Sequence, residues 1–371
     1  MVEQARPKIM IKRRKTKTVR IGSAKIGAGY PVSIQSMTKT DTADVSATVR
    51  QIKALERAGC EIIRVAVKDT GALAALEKIK AKINIPLAAD IHFNYRLALE
   101  AAARGVDCLR LNPGNIYRRE EVRQIAQAAG KRKIPIRVGV NSGSLRSQVK
   151  KYKEENVADL MVKSALDYIK MLESFNFYDI IVSMKASSVA QTVKAYRKMA
   201  CLCPYPFHLG ITAAGLAPEG VIKSAIAIGS LLLEGIGDTV RVSLTGSPQE
   251  EVRAAKEILQ SLGLRNFSPE IIACPTCGRC RINVVKIARE VKSKLSAIRY
   301  PLSANGLFTI AIMGCEVNGP QEARDADIGI AGGKRCAALF KKGKIVKRIK
   351  ESQIVDTLVK ELGKGEEDAL V

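Results

Sequence analysis

The chain has 371 residues, of which 47% are hydrophobic, and it carries a formal net charge of +25. It contains no run of about 18 apolar residues, and its first 22 residues lack the apolar core and cleavage site of a secretory signal, so we expect neither a membrane span nor export. Nine cysteines, an odd number, then indicate reduced thiols in the cytoplasm. The charge favours anionic partners, but the 4% aromatic content argues against a nucleic-acid groove built on stacking platforms.

Short β-branched runs alternate with stretches of helical periodicity from about residue 30 to 262. The runs are VSIQSM (32–37), IIRVAV (62–67), PLAADI (86–91), CLRLNP (108–113), IRVGVN (136–141), DIIVSMK (179–185), PFHLGIT (206–212) and TVRVSLT (239–245). Eight strands that are each followed by a helix predict an α/β fold of the (β/α)₈ TIM-barrel type. A doubly wound sheet is the alternative, but no GxGxxG motif follows the first strand.

The helix that follows the eighth run carries the clearest local signals. Ser247 can cap its first turn, Pro248 suits the first helical position, and Glu250 would complete a capping box. Gly263 is placed to end the helix.

The composition changes after this helix. Strand-like PEIIAC, a helix over 283–296, the runs LFTIAIMG and DIGIAGG, a hairpin through LFKKGKI and a closing helix near ESQIVDTLVKELG follow one another. We therefore predict two domains, a barrel over residues 1–264 and a smaller α+β domain over residues 265–371.

Cationic residues interrupt the otherwise apolar strands of the predicted barrel. They are Arg64, Arg110, Arg137, Lys185 and Arg241. A buried cation without a partner is costly, and Asp90 is the one clear acid at the strand ends. The pattern favours a bound polyanion whose phosphate oxygens accept from the arginines, with pairing to carboxylates as the alternative for one or two of them.

The two histidines of the chain also fall at strand ends. His92 follows Asp90 closely in ADIHF and is the better functional candidate. His208, in PFHLGI, is expected to be a packing or capping residue.

The loop CPTCGRC places three cysteines at positions 274, 277 and 280. Zinc would require a second CxxC or a histidine pair, and a bacterial ferredoxin run would require a further Cys-Pro, but RINV follows instead. From spacing alone, these three cysteines and Cys315 would be the four thiolates of a [4Fe–4S] cluster.

The motifs CPTCGR, MGCEVNGP and ADIGIAGG, preceded in order by QSMTKTDT, ADIHF, LRLNPGN, RVGVNSGSL and HLGIT, cover nearly the whole chain. Together they resemble the 4-hydroxy-3-methylbut-2-enyl diphosphate synthase family of the non-mevalonate isoprenoid pathway. The resemblance implies a reductive ring opening and dehydration of 2-C-methyl-D-erythritol 2,4-cyclodiphosphate. It also implies a [4Fe–4S] cluster, flavodoxin or ferredoxin as electron donor, and a homodimer in which the cluster domain caps the barrel of the partner chain.

The resemblance assigns roles to individual residues. The cluster ligands would be Cys274, Cys277, Cys315 and Glu322, which leaves Cys280 as a bystander. A carboxylate is a harder ligand than thiolate, so Glu322 would leave one iron accessible and thereby take part in catalysis. The substrate-binding residues would be Arg64, Arg110, Asn112, Arg137, Asn141, Lys185, Arg241 and Ser243. The polar residues near the reacting carbons would be Asp90, His92 and Asn318.

The chain departs from the family pattern at two motifs. It reads HLGITAAG where the family has HLGITEAG, so Ala213 replaces a glutamate expected to protonate the departing hydroxyl. It also reads GPQEA for GPGEA, which places Gln321 beside Glu322, and Cys280 could then replace Glu322 as the fourth ligand. Three alternatives stay open: a weakened paralogue, a basic iron–sulfur protein that binds nucleic acid, and a structural zinc domain on an inactive barrel.

Overall fold

A computed structural model of the chain describes residues 11–27, 29–145, 157–297, 308–317, 319–322, 326–334 and 336–364. These residues form two compact units that meet in sequence between Arg265 and Asn266. None of the described helices is long and apolar enough to cross a membrane.

The first unit begins with an antiparallel hairpin of strands β1 (Val19–Ile21) and β2 (Ala24–Ile26), which the sequence patterns did not predict. Its apolar side chains pack against residues at or near the amino ends of four barrel strands: Ile62, Ala88, Cys108 and Ile181. The hairpin therefore covers the amino end of the barrel and leaves the carboxyl end for function.

Eight parallel strands follow the hairpin. They are β3 (Ser33–Met37), β4 (Ile62–Val67), β5 (Leu87–Ile91), β6 (Cys108–Leu111), β7 (Ile136–Asn141), β8 (Ile180–Lys185), β9 (His208–Leu209) and β10 (Thr239–Val240). The sheet order is β8-β7-β6-β5-β4-β3-β10-β9. A parallel bridge between Val182 and Phe207 joins the two ends, so the predicted barrel is confirmed.

The last two barrel strands are much shorter than the predicted runs 206–212 and 239–245. Gly210 has a φ of +152°, outside the range of regular strands, and this bend ends the ladder after Leu209. Arg241 N still donates to Leu209 O at 3.0 Å, so one further hydrogen bond links the two segments.

Eight helices alternate with these strands. They are α1 (Val45–Ala58), α2 (Thr70–Lys80), α3 (Tyr95–Ala103), α4 (Arg119–Arg132), α5 (Val157–Glu173), α6 (Val189–Ala200), α7 (Glu219–Leu233) and α8 (Pro248–Ser261). As predicted, Ser247 caps α8 and Pro248 opens it. The cap differs from a capping box, because Ser247 Oγ accepts from Gln249 N rather than from the third helical residue.

The second unit contains a five-stranded sheet in the order β11-β12-β13-β14-β15. The strands are β11 (Glu270–Ala273), β12 (Thr309–Met313), β13 (Ile328–Gly332), β14 (Ala337–Lys341) and β15 (Lys344–Ile349). The first three are parallel, and the last two form the predicted hairpin. Helices α9 (Val284–Ala297) and α11 (Ile354–Lys364) pack on the sheet, and the short α10 (Gly319–Glu322) follows β12.

Candidate active site

Five cationic side chains converge inside the barrel: Arg64, Arg110, Arg137, Lys185 and Arg241. The sequence patterns assigned them to strand ends, but Arg137 is only the second residue of β7 and is therefore deep in the barrel. Its Nη1 donates to Gln35 Oε1 on β3, the strand that lies four places from β7 around the closed barrel and therefore opposite it. This bond crosses the barrel interior and shows that Arg137 points inward.

Asp90 on β5 holds two of these cations. Its Oδ1 accepts from Arg110 Nη1 at 3.0 Å, and its Oδ2 lies 3.5 Å from Arg64 Nε. Burial alone would raise the pKa of Asp90, but the nearby Arg64 and Arg110 outweigh that effect and lower the pKa to about 2. Asp90 is therefore ionised at neutral pH and serves as a counter-ion rather than a proton donor.

Glu251 on α8 is a second buried acid that the sequence patterns missed. Its carboxylate lies 3.1 Å from Lys39 Nζ and 3.7 Å from Arg241 Nη2, and it accepts from Leu244 N at 3.0 Å. A charged residue next to Val252 on the buried face of α8 was the available signal.

By formal charge, the four buried cations and the half-buried Arg241, with Asp90 and Glu251 as their counter-ions, leave at least three positive charges in excess in the described part of the barrel. Arg137 Nε and Nη2 and Arg241 Nε are buried and find no hydrogen-bond partner among the residues that the structure describes. An unsatisfied buried donor typically costs about 1–3 kcal/mol. These free donors and the charge excess indicate a site that is completed by a bound anion.

Glycines let two of the cations approach the strand backbone. A Cβ on Gly139 would lie 2.5 Å from Arg110 Nε, and one on Gly210 would lie 2.8 Å from Lys185 Nζ. Any larger residue at either position would displace the cation, so both glycines belong to the architecture of the site.

Lys185 and His208 form a buried pair. Lys185 Nζ lies 3.3 Å from His208 Nε2, and His208 Nδ1 lies 3.5 Å from Thr239 Oγ1. Burial first, and then the neighbouring cations, lower the pKa of both Lys185 and His208 well below their ordinary values. The expectation that His208 only packs or caps is therefore incomplete, because its ring contacts a cation of the site.

The other predicted contact residues are placed differently. Asn112 Nδ2 donates to Ser144 Oγ at 2.7 Å and its Oδ1 accepts from Gly114 N, so its amide ties two loops together. Asn141 and Ser243 are half-buried, at the end of β7 and just after β10. His92 is also half-buried, in the loop after β5 that carries Asp90.

Ala213 lies exposed in the loop after β9 with a φ of +51°. Its methyl group offers no proton. The left-handed backbone of a non-glycine residue costs roughly 1–2 kcal/mol, so the loop holds this residue in a strained conformation.

Cysteines converge at one edge of the sheet in the second unit. Strands β11 and β12 are parallel neighbours, with Ala273 paired to Ile312. Cys274 follows β11 directly, and Cys315 follows β12 after one glycine. Gly314 N donates to Cys274 Sγ at 3.2 Å, which links the two cysteine-bearing segments. Thiolate is the preferred ligand of iron–sulfur clusters, so the residue type that these strands bring to this edge suits one.

Cys280 lies inside this group, whereas Cys277 is exposed. A Cβ on Gly314 would lie 2.3 Å from Cys280 Sγ and 3.3 Å from Cys274 Sγ, so both sulfurs face the same glycine. Among the described residues no three histidine, cysteine, aspartate or glutamate side chains are close enough to hold a metal ion. Asn318 and the side chain of Glu322 lie outside the described residues.

Comparison with known proteins assigns each of the two units to a known domain family. A family model described as the GcpE TIM-barrel domain matches residues 16–256, and one described as the GcpE protein C-terminal domain matches residues 270–364. A protein of Thermodesulfovibrio yellowstonii named 4-hydroxy-3-methylbut-2-en-1-yl diphosphate synthase (flavodoxin) is 54% identical over 96% of this chain and all of its own length. The chain belongs to this synthase family.

Further members of the synthase family agree. The proteins of the same name from Caldanaerobacter subterraneus subsp. tengcongensis and Geobacillus kaustophilus are 51% and 50% identical, over 96% and 97% of this chain and 99% and 94% of theirs. The resemblance read from the motifs is thus confirmed, as are the fold class and the oxidoreductase class. The nucleic-acid and zinc alternatives gain no support from these matches.

Solved structures with a related fold match about two thirds of this synthase-family chain. A dihydropteroate synthase from Stenotrophomonas maltophilia, with imidazole bound in its active site, superposes with a TM-score of 0.50 at 13% identity. The match covers 67% of this chain and 98% of that one. At this identity the likeness supports the fold only.

Proposed function

We propose that this chain converts 2-C-methyl-D-erythritol 2,4-cyclodiphosphate to 4-hydroxy-3-methylbut-2-enyl diphosphate in the cytoplasm, with electrons from flavodoxin or ferredoxin. The observation that carries the proposal is the excess of buried positive charge inside the barrel. A barrel interior is concave and suits a small ligand, and a diphosphate would supply the missing anion.

The charge of the reaction partners fits this site. The cyclic substrate is a dianion when both phosphates are ionised, and the linear product is a trianion. One proton and two electrons convert the dianion to the trianion and one water. A site with at least three positive charges in excess can bind both and compensates the third charge as it develops.

The cations would divide the work according to their present partners. Arg64 and Arg110 are already oriented by Asp90, so they would present fixed donors to a phosphate. Arg137 and Arg241 retain free buried donors, and these would bond directly to phosphate oxygens. Asn141 and Ser243 would add uncharged hydrogen bonds to the substrate. Asn112 would add another while its amide keeps its bonds to Ser144 and Gly114.

For the cofactor we propose a [4Fe–4S] cluster held by Cys274, Cys277, Cys315 and Glu322. When bound, such a cluster would relay, one at a time, the two electrons that the flavodoxin or ferredoxin donor supplies. Near the reacting carbons we propose His92 and Asn318 as polar contacts and Asp90 as the residue that orients Arg64 and Arg110. A homodimer is proposed as the functional assembly, and sedimentation of the anaerobic protein tests it.

Turnover on the cyclodiphosphate is the decisive experiment. The protein is purified without oxygen, its iron and sulfide are measured, and product is followed with dithionite and a viologen as reductant. Turnover at an ordinary rate supports the proposal. An iron-containing protein that neither binds nor converts the cyclodiphosphate refutes it.

A weakened paralogue is the second candidate, because Ala213 cannot donate a proton. It would bind both the cluster and the cyclodiphosphate but turn over poorly. Binding with slow turnover in the same experiment separates this candidate from the first.

A further inference from the structure

His208 is a buried titratable residue to which the proposed function gives no role. Its side chain is fully buried on β9, and its backbone carbonyl accepts from Tyr196 Oη. Tyr196 Oη in turn accepts from Met184 N on the neighbouring strand at 3.0 Å. These bonds fix the position of His208, while its imidazole is directed at Lys185.

The hydrogen bonds of the ring define its protonation. When Lys185 carries its proton, its ammonium has donors only, so His208 Nε2 accepts from it at their 3.3 Å separation. The ring proton then lies on Nδ1, which faces Thr239 Oγ1 at 3.5 Å. A protonated ring would add a sixth cation beside Lys185, and burial together with the charge of Lys185 lowers the pKa of His208 well below its ordinary value.

Lys185 depends on this ring because the nearby carboxylates are engaged elsewhere. Asp90 holds Arg64 and Arg110, and Glu251 holds Lys39 and Arg241. In the described part of the chain, His208 Nε2 is the hydrogen-bond partner found for the Lys185 ammonium. Gly210 provides the space in which that ammonium lies.

We propose that His208 is a positioning residue that holds the Lys185 ammonium ready for the phosphate released when the cyclic diphosphate opens. The inference rests on the proposed function and deepens it. Ring opening breaks one carbon–oxygen bond, the electron pair stays on the phosphate oxygen, and the donor named above supplies both electrons. The linear diphosphate is therefore more anionic than the cyclic one and gains more from a correctly placed ammonium.

The test measures binding of both diphosphates to the anaerobic holoenzyme by calorimetry, without reductant so that no turnover occurs. His208→Leu removes the acceptor, and we expect the Kd of the linear diphosphate to rise about 10-fold, the size of one lost hydrogen bond to a charged group. The Kd of the cyclic diphosphate should rise about 3-fold or less. His208→Gln keeps an acceptor and should restore both constants to within about 3-fold of wild type.

A pH series adds a readout that a merely structural residue would not move. Affinity for the linear diphosphate should fall as the pH rises through the pKa of Lys185, and His208→Leu should shift that fall to lower pH because the ammonium loses its acceptor. The charged groups facing Lys185 are Arg241, Arg64, Arg137 and Arg110, and they are unchanged in the variant. His208→Gln should keep the wild-type profile.

Tyr196→Phe is the control, because it removes a bond to the His208 backbone and leaves the imidazole in place. It should lower the melting temperature without changing the ratio of the two Kd values.

If His208→Leu does not fold, Thr239→Val tests the same chain of bonds and should weaken binding of the linear diphosphate selectively. Equal losses for both ligands, or none, overturn the inference. A wild-type protein that binds neither ligand refutes the proposed function instead.

Discussion

Asp90 shows how one carboxylate organises a site that is otherwise cationic. It is 3% exposed, contacts two arginines, and has its pKa lowered to about 2. Because the folded pKa lies below the ordinary value of 3.8, ionised Asp90 stabilises the fold fully above that value. The stabilisation, of order 2 kcal/mol, is lost as the pH falls from about 4 to 2.

Asp90→Asn tests this directly. We expect the variant to be less stable by about 2–4 kcal/mol at pH 7, because Arg64 and Arg110 lose their counter-ion. The difference from wild type should shrink between pH 4 and 2, as urea unfolding would show. Asp41→Asn is the matched control, since Asp41 pairs with Lys68 at the exposed surface, and it should change little. A stability difference that does not depend on pH contradicts the assignment.

Arg137 should give opposite results for stability and for binding. Arg137→Met removes a buried cation with two free donors, so the ligand-free protein should gain about 1–2 kcal/mol. The same variant should bind the cyclodiphosphate roughly 10- to 100-fold more weakly, since bonds to a charged group are lost. Thermal melts and calorimetry measure the two effects. Arg123→Met, at an exposed helical pair, should alter neither.

Ala213 is the position at which turnover and binding can be separated. Ala213→Glu supplies a carboxylic acid, and we expect kcat to rise by about 10-fold or more, since general acid catalysis typically contributes about 10²–10⁴-fold. The Kd of the cyclodiphosphate should stay unchanged. Ala213→Gln has nearly the same size but no acidic proton, so an equal gain from it would point to packing rather than proton transfer.

At the scale of elements, parallel strands bring functional groups to one end of each sheet. Strands β11 and β12 bring Cys274 and Cys315 to the same edge of the sheet. Gly314, the residue before Cys315, is hydrogen-bonded to Cys274 although the two are 40 positions apart in sequence. The hairpin β1–β2 acts at the other end of the barrel, where its apolar residues cover the strand starts. Substrate access is thereby left to the carboxyl ends, as in other barrels.

The cysteine segment yields a prediction about ligand choice. Cys277→Ser should lose iron if Cys277 is a ligand, whereas Cys280→Ser should retain four irons per chain and an unchanged electron paramagnetic resonance spectrum after reduction. Cys280 faces Gly314 beside Cys274, so it is close enough to the other cysteines to be tested as a ligand. Loss of iron from Cys280→Ser with retention in Glu322→Ala would make Cys280 the fourth ligand.

At the scale of the whole molecule, the net charge of +25 and the local charge inside the barrel are different properties. Surface lysines are hydrated and screened by salt, whereas the buried cations are screened much less. Inorganic pyrophosphate at about 100 times its Kd should therefore stabilise the protein by about 2.7 kcal/mol. Sulfate at equal ionic strength serves as the control in thermal melts, and an equal effect from it would point to general screening.

The local patterns of the sequence determined most of the fold. Short segments of the sequence predict the alternation of strands and helices, the cap of α8, the cationic strand residues and the cysteine loop. They can do so because secondary structure depends largely on neighbouring residues. The lengths of strands β9 and β10 were overestimated, since the bend at Gly210 depends on the backbone of the adjacent segment. The β1–β2 hairpin was missed because its stability comes from the barrel it covers.

The pairing of side chains was decided only by the tertiary structure. Gln35 meets Arg137 across 102 positions of sequence, and Ser36 meets Glu251 across 215. Such partners are chosen by barrel closure, which places β3 opposite β7 and brings α8 against β3. The sequence by itself therefore determined that the barrel would carry excess positive charge. The folded chain decided which cations are neutralised and which keep free donors, because only closure fixes the distances between them.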